Sequence, residues 1–169
     1  MIYVCSMTKV ADTVQLAGAA RLVTLLNAGT PFERPASILA TNHLFLSMND
    51  IVQELPDMVA PSQDHVATLL EFVRDWDREA PLVINCFAGI SRSTAAAYIS
   101  AAALAPDRDE VELALTLRRL APSATPNARL VRHADFLLGR EGRMVAAIEA
   151  IGRGADAYEG TPFCLALEP

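Results

Sequence analysis

An α/β fold, with a central and mostly parallel sheet of about four strands flanked by helices, follows from three observations on the sequence. Short apolar runs rich in β-branched residues lie near positions 2–5, 21–26, 43–48 and 81–86. The stretches between them are helical in character, so strands and helices alternate as they do in βαβ units. The run Pro81-Leu82-Val83-Ile84 shows no polar alternation, which is the mark of a strand buried on both faces, as in a parallel sheet.

In chain order, Ile2-Tyr3-Val4-Cys5 opens as a strand and Val10 to Ala20 reads as a helix, weakened near its end by Gly18. Arg21 to Leu26 is the second strand, and Asn27-Ala28-Gly29-Thr30-Pro31 breaks the chain. The third strand is His43 to Met48. A long loop follows, Asn49 to Pro61, with two prolines and three acidic residues; loops of this length inside a compact fold are often functional. Ser62 to Glu79 is an amphipathic helix whose Val66, Leu69, Leu70, Val73 and Trp76 share one face, with Ser62 as its N-cap. Beyond the fourth strand, Ser93 to Leu104 is an alanine-rich helix stopped by Ala105-Pro106. Asp107 with Glu110 suggests a capped start for a helix to Leu120, with Arg118 and Arg119 set against its negative end. Thr125 and Pro126 suggest the start of a helix to Leu138, ended by Gly139, and Gly142 to Ile151 is a last one. The whole, 1–169, reads as a single domain, with 152–169 as a tail packed on its surface by Tyr158, Phe163 or Leu165.

The stretch that carries chemistry is Asn85-Cys86-Phe87-Ala88-Gly89-Ile90-Ser91-Arg92-Ser93, between the fourth strand and the alanine-rich helix. A turn from strand into helix points backbone N–H groups inward with the positive helix end behind them, which is an anion site before any side chain is counted. Gly89 lets the backbone curl. Arg92 adds a planar fork of donors that fits two phosphate oxygens. Cys86 stands in this positive field, which favours thiolate over thiol. Ser93 places a hydroxyl one step behind the sulfur.

This spacing of Cys, five residues, Arg and Ser resembles the signature of the cysteine-based protein tyrosine phosphatases, and Ala-Gly-Ile-Ser-Arg-Ser looks most like the small dual-specificity branch. The order of elements extends the likeness over most of the chain. The resemblance implies a phosphotyrosine-phosphatase-like fold and a phosphomonoester hydrolase working through a cysteinyl-phosphate. Cys86 is then the nucleophile. Phe87, Ala88, Gly89, Ile90, Ser91 and Arg92 hold the phosphoryl group, and Ser93 steadies the departing thiolate. One position departs from the family: Asn85 stands where the family usually has histidine. That departure keeps a second reading open, a phosphate-binding module that retains the cradle without turnover.

A phosphoester also needs its leaving oxygen protonated, so a carboxylic acid must reach the pocket. Strand 43–48, helix 62–79 and strand 81–86 form a strand–helix–strand unit whose strands run parallel with a right-handed crossover. Their C-terminal ends share one edge of the sheet, and ligands of open α/β sheets bind beyond that edge. The loop from Asn49 leaves there too. Asp50 is the first candidate for the acid and Asp57 the second; the resemblance implies an aspartate on a loop in this place.

Other classes are disfavoured. The net charge of −6, without a Lys/Arg run, argues against nucleic acid. No stretch is long and apolar enough for a membrane span. The N-terminus lacks the pattern of a signal peptide. Three unpaired cysteines, Cys5, Cys86 and Cys164, suit a reducing, cytoplasmic setting. No metal-ligand spacing occurs, and the expected chemistry calls for no cofactor. His43, His65 and His133 read as structural or exposed. The expected partner is a phosphorylated protein or a small phosphomonoester; the loop residues Phe87, Ala88 and Ile90, with no lysine among them, speak against highly phosphorylated inositides.

Overall fold

In the computed structural model, residues 1–167 are described. Among the described residues, five strands form one sheet: β1 (Ile2–Ser6), β2 (Arg21–Leu26), β3 (His43–Ser47), β4 (Leu82–Cys86) and β5 (Phe163–Leu165), in the order β3-β2-β4-β1-β5. The first four are parallel, and β5 runs antiparallel to β1. The same residues form six α-helices, in chain order α1 (Val10–Ala17), α2 (Gln63–Arg74), α3 (Arg92–Leu104), α4 (Glu110–Leu120), α5 (Ala128–Leu137) and α6 (Arg143–Ile151).

The sheet is covered on both faces, unequally. On one face Cys5, Val10, Val14, Leu22 and Val83 make a small core with α1. The other holds the main core, where Ile2, Val4, Val23, Ile84 and Cys86 pack with the apolar faces of the later helices. The alanines of α3 explain its place at the centre: with so little side chain, its backbone can lie close to β4 while neighbours crowd it on the far side. It is buried along nearly its whole length.

Four readings of the sequence are corrected. The stretch 152–169 is not a tail resting on the surface, because Phe163–Leu165 pairs with β1 and Phe163 and Leu165 are buried in the main core; residues 168 and 169 lie outside the described residues. Helix α2 ends at Arg74 rather than Glu79, with Trp76 folded back so that its indole Nε1–H donates to the Ala80 carbonyl (2.9 Å). The cap of α4 is Asp109, not Asp107, and its carboxylate accepts from the N–H groups of Val111 and Glu112 (2.9 Å each). The cap of α5 is Asn127, not Thr125. In the last two cases a competing capping residue stood two positions away.

The parallel strands bring their C-terminal ends to one edge. Ser6 ends β1, Asn27 follows β2, Met48 follows β3 and Cys86 ends β4. Cys86, Arg92, Ser93, Asp50 and Asn127 come from that edge or from the N-terminal ends of α3 and α5.

Candidate active site

The signature loop runs from the end of β4 into α3 and is held from outside by its carbonyls. Phe87 O accepts from Met7 N (3.1 Å), Ala88 O from Gly160 N (2.8 Å), Ile90 O from Thr125 N (2.9 Å) and Ser91 O from Asn127 N (3.3 Å). Bonding the carbonyls outward leaves the amides of such a strand-to-helix turn to receive an oxyanion. Gly89 is required here on two counts. Its φ is +72°, and a Cβ would stand 2.7 Å from Ser6 N and 2.8 Å from the Cys5 carbonyl carbon.

Cys86 is 2% exposed and lines a cavity of about 590 Å³ together with Arg92, Asp50 and the loop residues Phe87, Ala88, Ile90 and Ser91. Its Sγ lies 3.1 Å from Ser93 Oγ, so the hydroxyl can donate to a sulfur carrying negative charge. Arg92 is also buried. One of its nitrogens, Nη1, donates to Asn27 Oδ1 and to the Met48 carbonyl, both at 2.7 Å. Those bonds fix the guanidinium from behind the strand ends. Its Nε is buried with no hydrogen-bond partner and stands 3.9 Å from Asp50 Oδ2. A buried, charged donor without an acceptor is costly, and an oxyanion entering the cavity would supply the acceptor.

Asp50 sits over this loop on the chain leaving β3. Its Oδ1 accepts from Ser91 Oγ (2.7 Å) and from Asn127 Nδ2 (2.8 Å). Asp57 does not join it: it takes a left-handed φ of +59°, is exposed, and is not part of the cavity wall.

Asn127 escaped the sequence reading. Its side chain caps α5, with Oδ1 accepting from Arg129 N and Leu130 N, while Nδ2 reaches Asp50 and the Ile51 carbonyl. A Pro-Asn pair ahead of a helix signals a cap; the second task arises only because the fold carries α5 to the mouth of the pocket.

Asn85, the departure from the family pattern, is fully buried. Its Oδ1 accepts from Thr24 Oγ1 on β2 (2.8 Å), and Thr24 Oγ1 is in turn 3.0 Å from His43 Nε2. Its Nδ2 is buried without a partner. The side chain therefore crosses to the neighbouring strand rather than entering the cavity.

None of the three histidines lines that cavity. His65 completes a capping box with Ser62 at the start of α2, and His133 lies in α5. The other cysteines are poor rivals for Cys86. Cys5 belongs to the small core on the opposite face, where burial pushes its thiol up to about 11, and Cys164 lies on β5.

A family model described as protein-tyrosine phosphatase matches residues 52–122, a span that includes the signature loop and begins just after Asp50. No curated protein is matched by sequence. The fold is similar to that of a Cydia pomonella PTP-2 phosphatase (16% identity, 80% of this chain and 84% of the other, TM-score 0.62). It is similar also to the human tyrosine phosphatase-like serine/threonine/tyrosine-interacting protein (14% identity, 83% and 92%, TM-score 0.64). A third likeness is to PTPMT1, solved in complex with PI(5)P (10% identity, 89% and 94%, TM-score 0.64). The resemblance to the cysteine-based protein tyrosine phosphatases holds in family model and in fold. Human DUSP28 and a DUSP15 structure are also similar in fold (14% and 16% identity, TM-scores 0.62 and 0.60).

Proposed function

We propose that the protein is a phosphomonoester hydrolase of the dual-specificity type, acting through a cysteinyl-phosphate. The Cys86 thiolate attacks phosphorus, the ester P–O bond breaks, and the leaving oxygen takes a proton from Asp50. Arg92 and the loop amides hold the equatorial oxygens as charge shifts onto them. In the second step Asp50 accepts a proton from water, the water oxygen bonds to phosphorus, and the S–P bond breaks. Its electron pair returns to sulfur, where the Ser93 hydroxyl receives it with a hydrogen bond. No cofactor or metal enters either step.

The observation that carries this reading is the buried, unpartnered Nε of Arg92 beside Cys86 and under Asp50. A structural arginine would have its donors satisfied; this one keeps a donor for a ligand. Among the described residues, Arg92 is the one Lys or Arg in the cavity wall, and Asp50 the one carboxylate. That balance suits a single phosphoryl group better than a polyphosphorylated one. A cytoplasmic, reducing setting would keep Cys86 reduced. Phosphorylated protein and small phosphomonoester both remain within reach of such a pocket. The PI(5)P complex of one structural neighbour adds a lipid headgroup to the substrates worth testing.

The test is a phosphatase screen over phosphotyrosine and phosphoserine peptides, a phosphoinositide and small aryl phosphates, with Cys86→Ser as the blank. Hydrolysis that disappears in the blank supports the reading. A chain that binds orthovanadate but turns over nothing would instead be the binding module.

A further inference from the structure

Residues 154–162, which precede β5, pass directly over the signature loop. We propose that this segment is a strap that sets the width of the catalytic pocket, with Glu159 and Gly160 as the positioning residues that clamp it; this rests on reading the loop as a phosphoryl site.

The strap is fastened along its length. At its start, Gly154 N donates to Thr125 Oγ1 (3.1 Å) and Ala155 N to the Pro122 carbonyl (2.9 Å). Just before it, the Arg118 guanidinium donates to the Gly152 carbonyl (2.7 Å) and to the carbonyls of Pro122 and Ala124 (2.7 and 2.8 Å). This arginine ties the base of the strap, a more specific task than facing a helix end. At the far end, Gly160 N donates to the Ala88 carbonyl of the signature loop at 2.8 Å. The approach leaves no room for a side chain, since a Cβ on Gly160 would stand 2.7 Å from the Gly89 carbonyl oxygen.

Between these ends, Glu159 makes the clamp. Its carboxylate accepts from the hydroxyls of Ser6 and Thr8, and these bonds hold the carboxyl below its usual range. Ser6 pairs in register with Cys86, and the next residue, Met7, donates its N–H to the Phe87 carbonyl. So the signature loop is gripped by the end of β1 and by the strap, and Glu159 ties those two grips to each other. The residues just before the clamp, Ala157 and Tyr158, form part of the wall of the cavity that holds Cys86. Tyr158 is fully exposed, so it adds nothing to the core and stands free at the mouth. A segment fastened this closely to the loop, yet presenting a small and an aromatic side chain to the cavity, fixes how wide a group can approach the sulfur.

Two variants lift the strap by different means. Glu159→Ala removes the clamp, and Gly160→Ala forces the strap off the Gly89 carbonyl. Circular dichroism and Tm establish that each is folded. Cys86 is then alkylated with iodoacetamide and with an iodoacetamide carrying a naphthyl group, and mass spectrometry reads the Cys86 peptide apart from those of Cys5 and Cys164. Both variants should raise the naphthyl-to-plain rate ratio at Cys86, by about tenfold where charged hydrogen bonds are lost. The ratio of kcat/KM for bulky against compact aryl phosphates should move the same way. An unchanged ratio in both folded variants overturns the strap. The alkylation arm needs no turnover, so it reads the strap even if no phosphomonoester is hydrolysed, which would be the failure of the phosphatase reading alone.

Discussion

The two loops that meet over the cavity are held in different ways. The signature loop is fixed through its own backbone: four of its carbonyls are bonded from outside, Gly89 has no space for a Cβ, and Cys86, Arg92 and Ser93 are buried. The loop carrying Asp50 is exposed from Val52 to Val59 and is held largely by side chains. Asn49 closes its ends by bonding Val59 through Oδ1 and through its own N–H (2.8 and 2.7 Å). Arg129 donates to the Pro61 carbonyl (2.7 Å) and pairs with exposed Glu54 (2.8 Å), and Asn127 holds Asp50 itself. The difference assigns the costs of the chemistry. Under the proposed mechanism, stabilising a charged phosphoryl group calls for dipoles that do not have to reorganise, which the backbone-fixed cradle would supply. The side-chain tether would hold Asp50 where it could deliver a proton.

The contrast predicts a graded series. The largest losses belong to the cradle. Cys86→Ser should lower kcat by about 10⁴-fold or more yet keep orthovanadate binding, because the amides and Arg92 remain. Arg92→Ala should lose turnover and anion binding together, read by kinetics and by isothermal titration. Retained anion binding in Arg92→Ala would separate the arginine from the phosphoryl site.

Next comes the acid. Asp50→Asn should cost about 10²–10⁴-fold in kcat on alkyl phosphates and much less on aryl phosphates whose leaving oxygen needs no proton. Asp57→Asn should leave both unchanged; the reverse ranking would move the acid along the loop. The tether follows. Asn127→Asp keeps the cap of α5 but loses the amide donor to Asp50. It should repeat the leaving-group dependence of Asp50→Asn at a smaller size, about tenfold, with Tm little changed. A loss equal for all leaving groups would make Asn127 a merely structural cap.

The smallest catalytic effect lies behind the cradle. Thr24→Val leaves the buried Asn85 Oδ1 without its donor, which should cost about 1–3 kcal/mol of stability by denaturant titration while turnover stays within severalfold. A collapse of kcat with unchanged stability would instead make the Thr24–Asn85 contact part of the catalytic machinery.

How much of this could be read from the chain depends on how local each signal is. The cradle was legible because strand, glycine turn, arginine and helix are contiguous, and because backbone geometry in such a turn follows from sequence. The position of Asp50 beside the loop, though not its role, followed one step further out, since the handedness of a strand–helix–strand unit puts the end of β3 on the same edge as the end of β4. Asn127 was not: its partner lies 77 residues away, and nothing local distinguishes a cap that also reaches a carboxylate. The strap was hidden for a related reason. Its strand is three residues long, too short for a period of two to show, and the constraint on Gly160 is the carbonyl of another glycine far back in the chain. Asn85 belongs between these cases. Its burial followed from its place in a central strand, but its bond to Thr24 depends on the register of β2 against β4.

The central claim, a covalent phosphoryl group on Cys86, is tested most directly by acid-quenching the enzyme within its first turnovers of an aryl phosphate and mapping the modified peptide by mass spectrometry. The account predicts one phosphoryl group on the peptide containing Cys86, no label on the peptides of Cys5 or Cys164, and no label in Cys86→Ser. Steady hydrolysis with Cys86 unmodified, or turnover in Cys86→Ser at the parent rate, would contradict it.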